Sequence, residues 1–117
     1  MKITGVETIR LQEFANIVWV RLHTDEGLVG LGETFMGAAA VEAYVHETVA
    51  AKLIGRDPLQ IEGINRDLQN YLGWRSAGVE TRGNSAIDIA RIRFSASTTP
   101  LIVPPRCRSM IGYVTVE

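Results

Sequence analysis

Apolar and polar residues alternate across Ile17 to Thr24 (Ile-Val-Trp-Val-Arg-Leu-His-Thr), which places Val18, Val20 and Leu22 on one face of a strand and Trp19, Arg21 and His23 on the other. Ile3 to Leu11 is rich in β-branched residues and predicts a preceding strand. Asp25-Glu26-Gly27 reads as a turn, since Gly27 can take positive φ without a Cβ clash, and Leu28 to Glu33 resumes extended character. The three segments predict an antiparallel meander. Gly30 and Gly32 fall on one face of its third strand and leave a groove where a helix or another backbone can approach closely.

Beyond Gly37 the period changes. Val41, Val45, Val49 and Leu53 recur every fourth position, with Glu42, His46 and Glu47 off that stripe, and Gly55 is placed to end a helix. Asp57-Pro58-Leu59-Gln60 predicts the start of a second helix, with Asp57 capping free amides, Pro58 at the first helical position and Gln60 completing a capping box. Ile61, Ile64, Leu68 and Leu72 then line its inner face. Gly73 to Gly78 reads as a loop, and Val79 to Ala90 as a third helix with Ala86, Ile87 and Ala90 inward, weakened by about 1 kcal/mol at Gly83. The fold class is therefore α+β, a three-stranded antiparallel meander followed by a layer of about three helices.

From Arg91 neither period is sustained, and three of the four prolines (Pro100, Pro104, Pro105) lie in this last stretch. Charge changes at the same place. Residues 1–90 carry eight Lys/Arg against twelve Asp/Glu, whereas residues 91–117 carry four arginines against Glu117 alone. The organisation expected is one domain over 1–90 and an atypical basic tail over 91–117. A chain of 117 residues cannot hold a closed eight-fold α/β barrel, which needs about 250.

The net charge of −1 gives no field to gather nucleic acid or an anionic membrane surface, so neither is an expected partner. No apolar run approaches the ~20 residues that span a bilayer, and the first residues lack the apolar block of a signal peptide, which makes the cytoplasm the expected location. Cys107 is the one cysteine, so an intrachain disulfide and a CxxC redox pair are both excluded. His23 and His46 lack the spacing of a zinc site, and Gly30-Leu-Gly-Glu33 lacks the third glycine of a dinucleotide fingerprint.

Val20-Arg-Leu-His-Thr-Asp-Glu-Gly27 followed by Gly30-Leu-Gly-Glu33, the junction Leu53-Ile-Gly-Arg-Asp-Pro58 and the helix Arg82-Gly-Asn-Ser-Ala-Ile-Asp-Ile-Ala90 together give a specific combination. It resembles the N-terminal capping domain of the mandelate racemase and muconate-lactonizing branch of the enolase superfamily, over about the first ninety residues. Members of that family continue the last helix with an aliphatic-Trp-Asp run and a Gly-Lys turn, whereas this chain continues Arg91-Ile-Arg-Phe-Ser95. The expectation drawn from that departure is a shifted reading frame or a truncated start of the barrel after residue 90.

The resemblance implies proton abstraction next to a carboxylate, with Mg2+ stabilising the enediolate and a Lys or His as base. Those groups belong to the family's barrel, so no catalytic residue and no metal ligand is assigned here, and Mg2+ is expected in the full-length family enzyme but not on this chain. Acid-sugar dehydration is the first expectation, with racemisation or cycloisomerisation behind it, and the isolated chain is expected to be inactive. The resemblance further implies that two loops of the cap close over the substrate, here Gln12 to Asn16 and Thr34 to Gly37. Their lid candidates are Phe14, Asn16, Phe35 and Met36; the alternative is that the two phenylalanines and the methionine are core residues.

Trp74 and Arg75 are further candidates, since an exposed Arg beside an aromatic can clamp a substrate carboxylate. The alternative is a Trp closing the helical layer beside a solvated Arg75. Glu33 is expected to have a structural role. The partner expected is a carboxylate or acid-sugar substrate once a barrel completes the site. The rival class is a non-catalytic module whose exposed apolar surface drives self-association, as a homo-oligomer, or partner binding.

Overall fold

The computed structural model describes residues 1–70, 78–95 and 110–115, the last of these by backbone alone. Strands β1 (Ile3–Arg10), β2 (Ile17–Thr24) and β3 (Val29–Phe35) form the expected antiparallel meander. The alternation along β2 is the burial pattern itself, with Val18, Val20 and Leu22 fully buried under the helices and Trp19, Arg21 and His23 half-buried on the other face. Gly27 closes the β2–β3 hairpin at φ 78°.

The sheet has a fourth strand, in the stretch where the sequence sustains no period and an extra strand or helix is only a lesser alternative to an atypical tail. β4 (Met110–Thr115) pairs antiparallel with β1, from Gly5↔Thr115 to Arg10↔Met110, which gives the order β3-β2-β1-β4. Its segment lies in the expected tail, behind Pro104 and Pro105. A six-residue edge strand is held by backbone hydrogen bonds to one neighbour and leaves little alternation in the sequence.

Helical structure begins where the period changes. α1 (Ala38–Tyr44) runs through a π-helical turn (Val45–Val49) into α2 (Ala50–Leu53), and Val41, Val45, Val49 and Leu53 are all fully buried. Gly55, at φ 85°, ends this rod as expected. It also ties the rod to the sheet, because the Gly55 N–H donates to the Ile3 carbonyl at 2.8 Å and the Ile3 N–H to the Arg56 carbonyl at 2.9 Å.

The second helix starts later than its capping signal predicts. Asp57 Oδ1 accepts from the Leu59 N–H at 2.9 Å, and helix α3 runs only from Ile61 to Asn70. Asp57 and Pro58 therefore build a turn before the helix, a competing use of the same side-chain oxygen. Ile64 and Leu68 are buried as expected, Ile61 is half-buried, and Leu72 lies outside the described residues. The junction's Arg56 pairs with Asp67 on α3, holding that helix against the sheet end.

Helix α4 (Val79–Ser95) lies across β3. A Cβ on Gly30 would stand 2.1 Å from the Ala90 carbonyl oxygen, and one on Gly32 would stand 1.8 Å from that of Ala86, so the pair forms the groove that admits the helix backbone. Ala86, Ile87 and Ala90 point inward, as their spacing predicts. The helix does not stop at Ala90. Arg91 is 0% exposed and Phe94 8%, so both belong to the packed layer. The arginine is admitted there because Ile61 supplies a carbonyl at 3.3 Å, Asn65 an Oδ1 at 2.6 Å and Asp88 a carboxylate.

Candidate functional site

The two loops expected to form a lid meet at one end of the sheet. A 3-10 turn (Gln12–Phe14) carries the chain out of β1 and leaves Phe14 51% exposed. Asn16 follows and does two things at once. Its carbonyl accepts the Met36 N–H at 2.9 Å, and its side-chain Oδ1 accepts the Gly37 N–H at 3.2 Å. These bonds hold a turn in which Met36 and Gly37 both take left-handed backbone, at φ 70° and 67°. A non-glycine residue there is uncommon, and the paired Asn16 contacts hold Met36 in that conformation. The turn redirects the chain from β3 into α1, whose first backbone bond runs from the Val41 N–H to the Gly37 carbonyl.

The outcome is an apolar patch on the rim. Phe35 is 61% exposed and Met36 47%, and their turn is bonded through Asn16 to the loop that carries the exposed Phe14. The alternative that these three side chains are core residues does not hold, because the core is filled by the inward faces of β2, α1 and α4 instead. Asn16 is exposed, but both of its oxygens face the second loop, so its role in the geometry is to couple the loops.

One charged side chain joins this patch that the sequence reading does not assign. Arg82, in the first turns of α4, directs Nη2 toward Met36 Sδ at 3.7 Å. The start of α4 packs against this turn, since a Cβ on Gly37 would lie in van der Waals contact with Val79, 3.6 Å away on the same helix. Nothing local in the sequence signals the contact, which spans 46 positions.

Trp74 and Arg75 lie outside the described residues. Glu33 is bound as a structural residue, its Oε2 accepting from Trp19 Nε1 at 2.8 Å across the outer face of the sheet. On the same face Glu7 is nearly buried and pairs with Arg21 and with His23, each at 3.1 Å. Under the sheet, the buried Thr8 hydroxyl donates to Glu42 at 2.9 Å and lies 2.7 Å from His46 Nε2.

Five of the acidic side chains are tied into separate contacts: Glu7 and Glu33 on the outer face, Glu42 against Thr8, Asp67 to Arg56, Asp88 to Arg91. Among the described residues no three His, Cys, Asp or Glu side chains converge to hold a metal ion. A Mg2+ site of converging carboxylates does not fit this arrangement. Also among the described residues, no helix is long and apolar enough to cross a membrane.

Comparison with known proteins gives the same picture of the fold. Residues 4–101 match the family described as Mandelate racemase / muconate lactonizing enzyme, N-terminal domain. A D-mannonate dehydratase of Novosphingobium aromaticivorans is 36% identical over 92 residues, which are 77% of this chain and 23% of that protein. An enolase of the mandelate racemase subgroup from Agrobacterium tumefaciens is 62% identical with a TM-score of 0.74, over 78% of this chain and 25% of its own. An enolase from Pantoea ananatis, solved with bound D-gluconate and Mg, is 37% identical with a TM-score of 0.70, over 77% of this chain and 23% of its own. The chain spans about a quarter of the length of the relatives it matches.

Proposed function

The chain belongs to the mandelate racemase and muconate lactonizing enzyme family through its N-terminal domain, and from that premise we propose that it is the substrate-selecting cap of an acid-sugar dehydratase. The observation that carries this reading is the meeting of the Gln12–Asn16 and Thr34–Gly37 loops in one exposed patch, with Asn16 bonded across it. Such a patch suits closure over a site built elsewhere: apolar rings exclude water, and a turn held by hydrogen bonds presents them in a fixed position. The names of the relatives support a dehydratase over a racemase or cycloisomerase.

In this reading Phe14, Phe35 and Met36 close over the substrate, and Asn16 fixes their relative positions. Trp74 and Arg75 are proposed to extend the same surface. Proton abstraction and Mg2+ binding belong to a barrel domain, and the 117-residue chain by itself turns over no sugar acid. A dehydration assay on the purified chain with Mg2+ and a panel of sugar acids tests this; turnover that follows the chain through purification would overturn it.

A second reading is favoured by one observation. Ile89 and Ile92 stand 48% and 54% exposed on the outward side of α4, beyond the lid. An apolar pair of this kind suits association between copies or with a partner. Light scattering on the eluting chain decides that reading, with a dimer supporting it and a stable monomer opposing it.

A further inference from the structure

We infer that Met36 is a reversible oxidation site, and that its sulfoxide locks the β3–α1 turn to helix α4 through Arg82. The inference goes beyond the lid reading and stands on the contact between these two side chains, whether or not the turn covers a substrate.

The chain has three methionines. Met1 packs against the core, Met110 belongs to the strand described by backbone alone, and Met36 is 47% exposed. An oxidant must reach a sulfur lone pair, so exposure decides which thioether reacts first. The exposure of Met36 is set by its backbone. Its φ of 70° and the bonds from the Met36 and Gly37 amides to Asn16, at 2.9 and 3.2 Å, hold the residue on the rim.

The oxidant proposed is hydrogen peroxide. A sulfur lone pair attacks one peroxide oxygen, the S–O bond forms as the O–O bond breaks, and the proton of the transferred oxygen passes to the departing hydroxide. Sulfur loses two electrons, and the products are the sulfoxide and one water. Methionine sulfoxide reductases return the thioether, which makes the change reversible.

Arg82 gives the change a structural consequence. Its Nη2 lies 3.7 Å from Met36 Sδ, and a thioether is a weak acceptor, so this contact holds the turn only loosely. Oxidation places on that sulfur an oxygen with partial negative charge, to which a guanidinium donates a charge-assisted hydrogen bond. Rotation about the flexible methionine bonds is enough to align it. The start of α4 already packs on the turn, with Val79 3.6 Å from where a Gly37 Cβ would stand, so the new bond fastens two elements that are in place. The same step turns an apolar side chain of the rim into a polar one.

Two measurements on the 117-residue chain test this. In the first, the chain is exposed to hydrogen peroxide and mapped by peptide mass spectrometry. Met36 is expected to gain one oxygen before Met1 does, at a rate within about threefold of a short synthetic peptide carrying the same residue. A rate slower than the peptide by about tenfold or more would overturn the site. In the second, amide hydrogen exchange is followed at Met36 and Gly37, whose N–H groups report opening of the turn. Oxidation is expected to slow both by about tenfold, and sulfoxide reductase to restore the original rates. Arg82→Gln should abolish the slowing and Arg82→Lys should keep part of it, since an ammonium also donates to the sulfoxide oxygen. Peroxide-treated Met36→Leu, which needs no change at Arg82, should show no slowing. Exchange that is unchanged or faster after oxidation, slowing that survives Arg82→Gln, or slowing in Met36→Leu would each overturn the lock.

Discussion

A guanidinium without solvent exposure sits at the centre of the helical layer, and its partners determine what it does to stability. Arg91 is held by Asp88 on its own helix and by Asn65 and the Ile61 carbonyl on α3, so it joins α4 to α3 at two points. Removing the carboxylate leaves a buried cation short of its counter-charge, a change more damaging than the pair is worth. Asp88→Ala is therefore expected to destabilise the chain by about 3 kcal/mol, read from urea denaturation. The amino terminus supplies a milder, pH-dependent case. The Glu26 carboxylate, 3.2 Å from the Met1 amine, raises its pKa above the ordinary 8.0, first through a hydrogen bond and then through charge. A raised amine pKa means that the folded state favours the proton. The contribution is therefore complete below pH 8.0 and is lost as pH rises through the folded value. Denaturation of free and amino-terminally acetylated chain across that window checks it: the difference between them should shrink as pH rises.

At the scale of elements, the spacing of four between Val41, Val45, Val49 and Leu53 has a geometric consequence. An α-helix turns about 100° per residue, so residues four apart drift by about 40° per step and a stripe of that period rotates off the core. The π-helical turn at Val45–Val49 has wider turns and takes up the drift, which keeps all four side chains buried on one face. The β3–α4 contact is narrower still in its demands. Gly32→Ala would drive a methyl group into the Ala86 carbonyl, and the expected loss is about 3 kcal/mol, with the thermal midpoint as the readout.

Three features are legible in the sequence because they are local: alternation, a four-residue stripe and a pair of glycines each record which face is covered. Arg91 is not legible in this way. A charged residue after Ala90 reads as the end of an inward face, and only the arrival of Asn65 and Ile61 from another helix makes its burial acceptable. The same holds for the Asp57 signal, where a turn and a cap compete for one oxygen, and for β4, whose pairing with β1 depends on chain far away.

The molecule as a whole presents a four-stranded sheet covered on one face by helices, with the β1–β2 loop and the β3–α1 turn gathered at one end. Phe14, Asn16, Phe35 and Met36 are separated in sequence but are placed together by the meander, since Ile17 pairs with Phe35. Half of the candidate site was thus readable from element order alone. Arg82 was not, because it comes from the fourth helix and reaches the patch only through the packing of α4 on β3. On the function proposed above, the domain selects substrates and leaves the reacting chemistry to another domain. Its most direct test is a chimera joining residues 1–95 to the barrel of the 62%-identical Agrobacterium tumefaciens relative. The measurement is kcat/KM for a panel of sugar acids, with the native lid and with Phe14→Ala/Phe35→Ala. An active chimera whose order of preference among the acids changes with the lid substitution is the predicted result. An active chimera with the same order of preference for both lids would contradict the account.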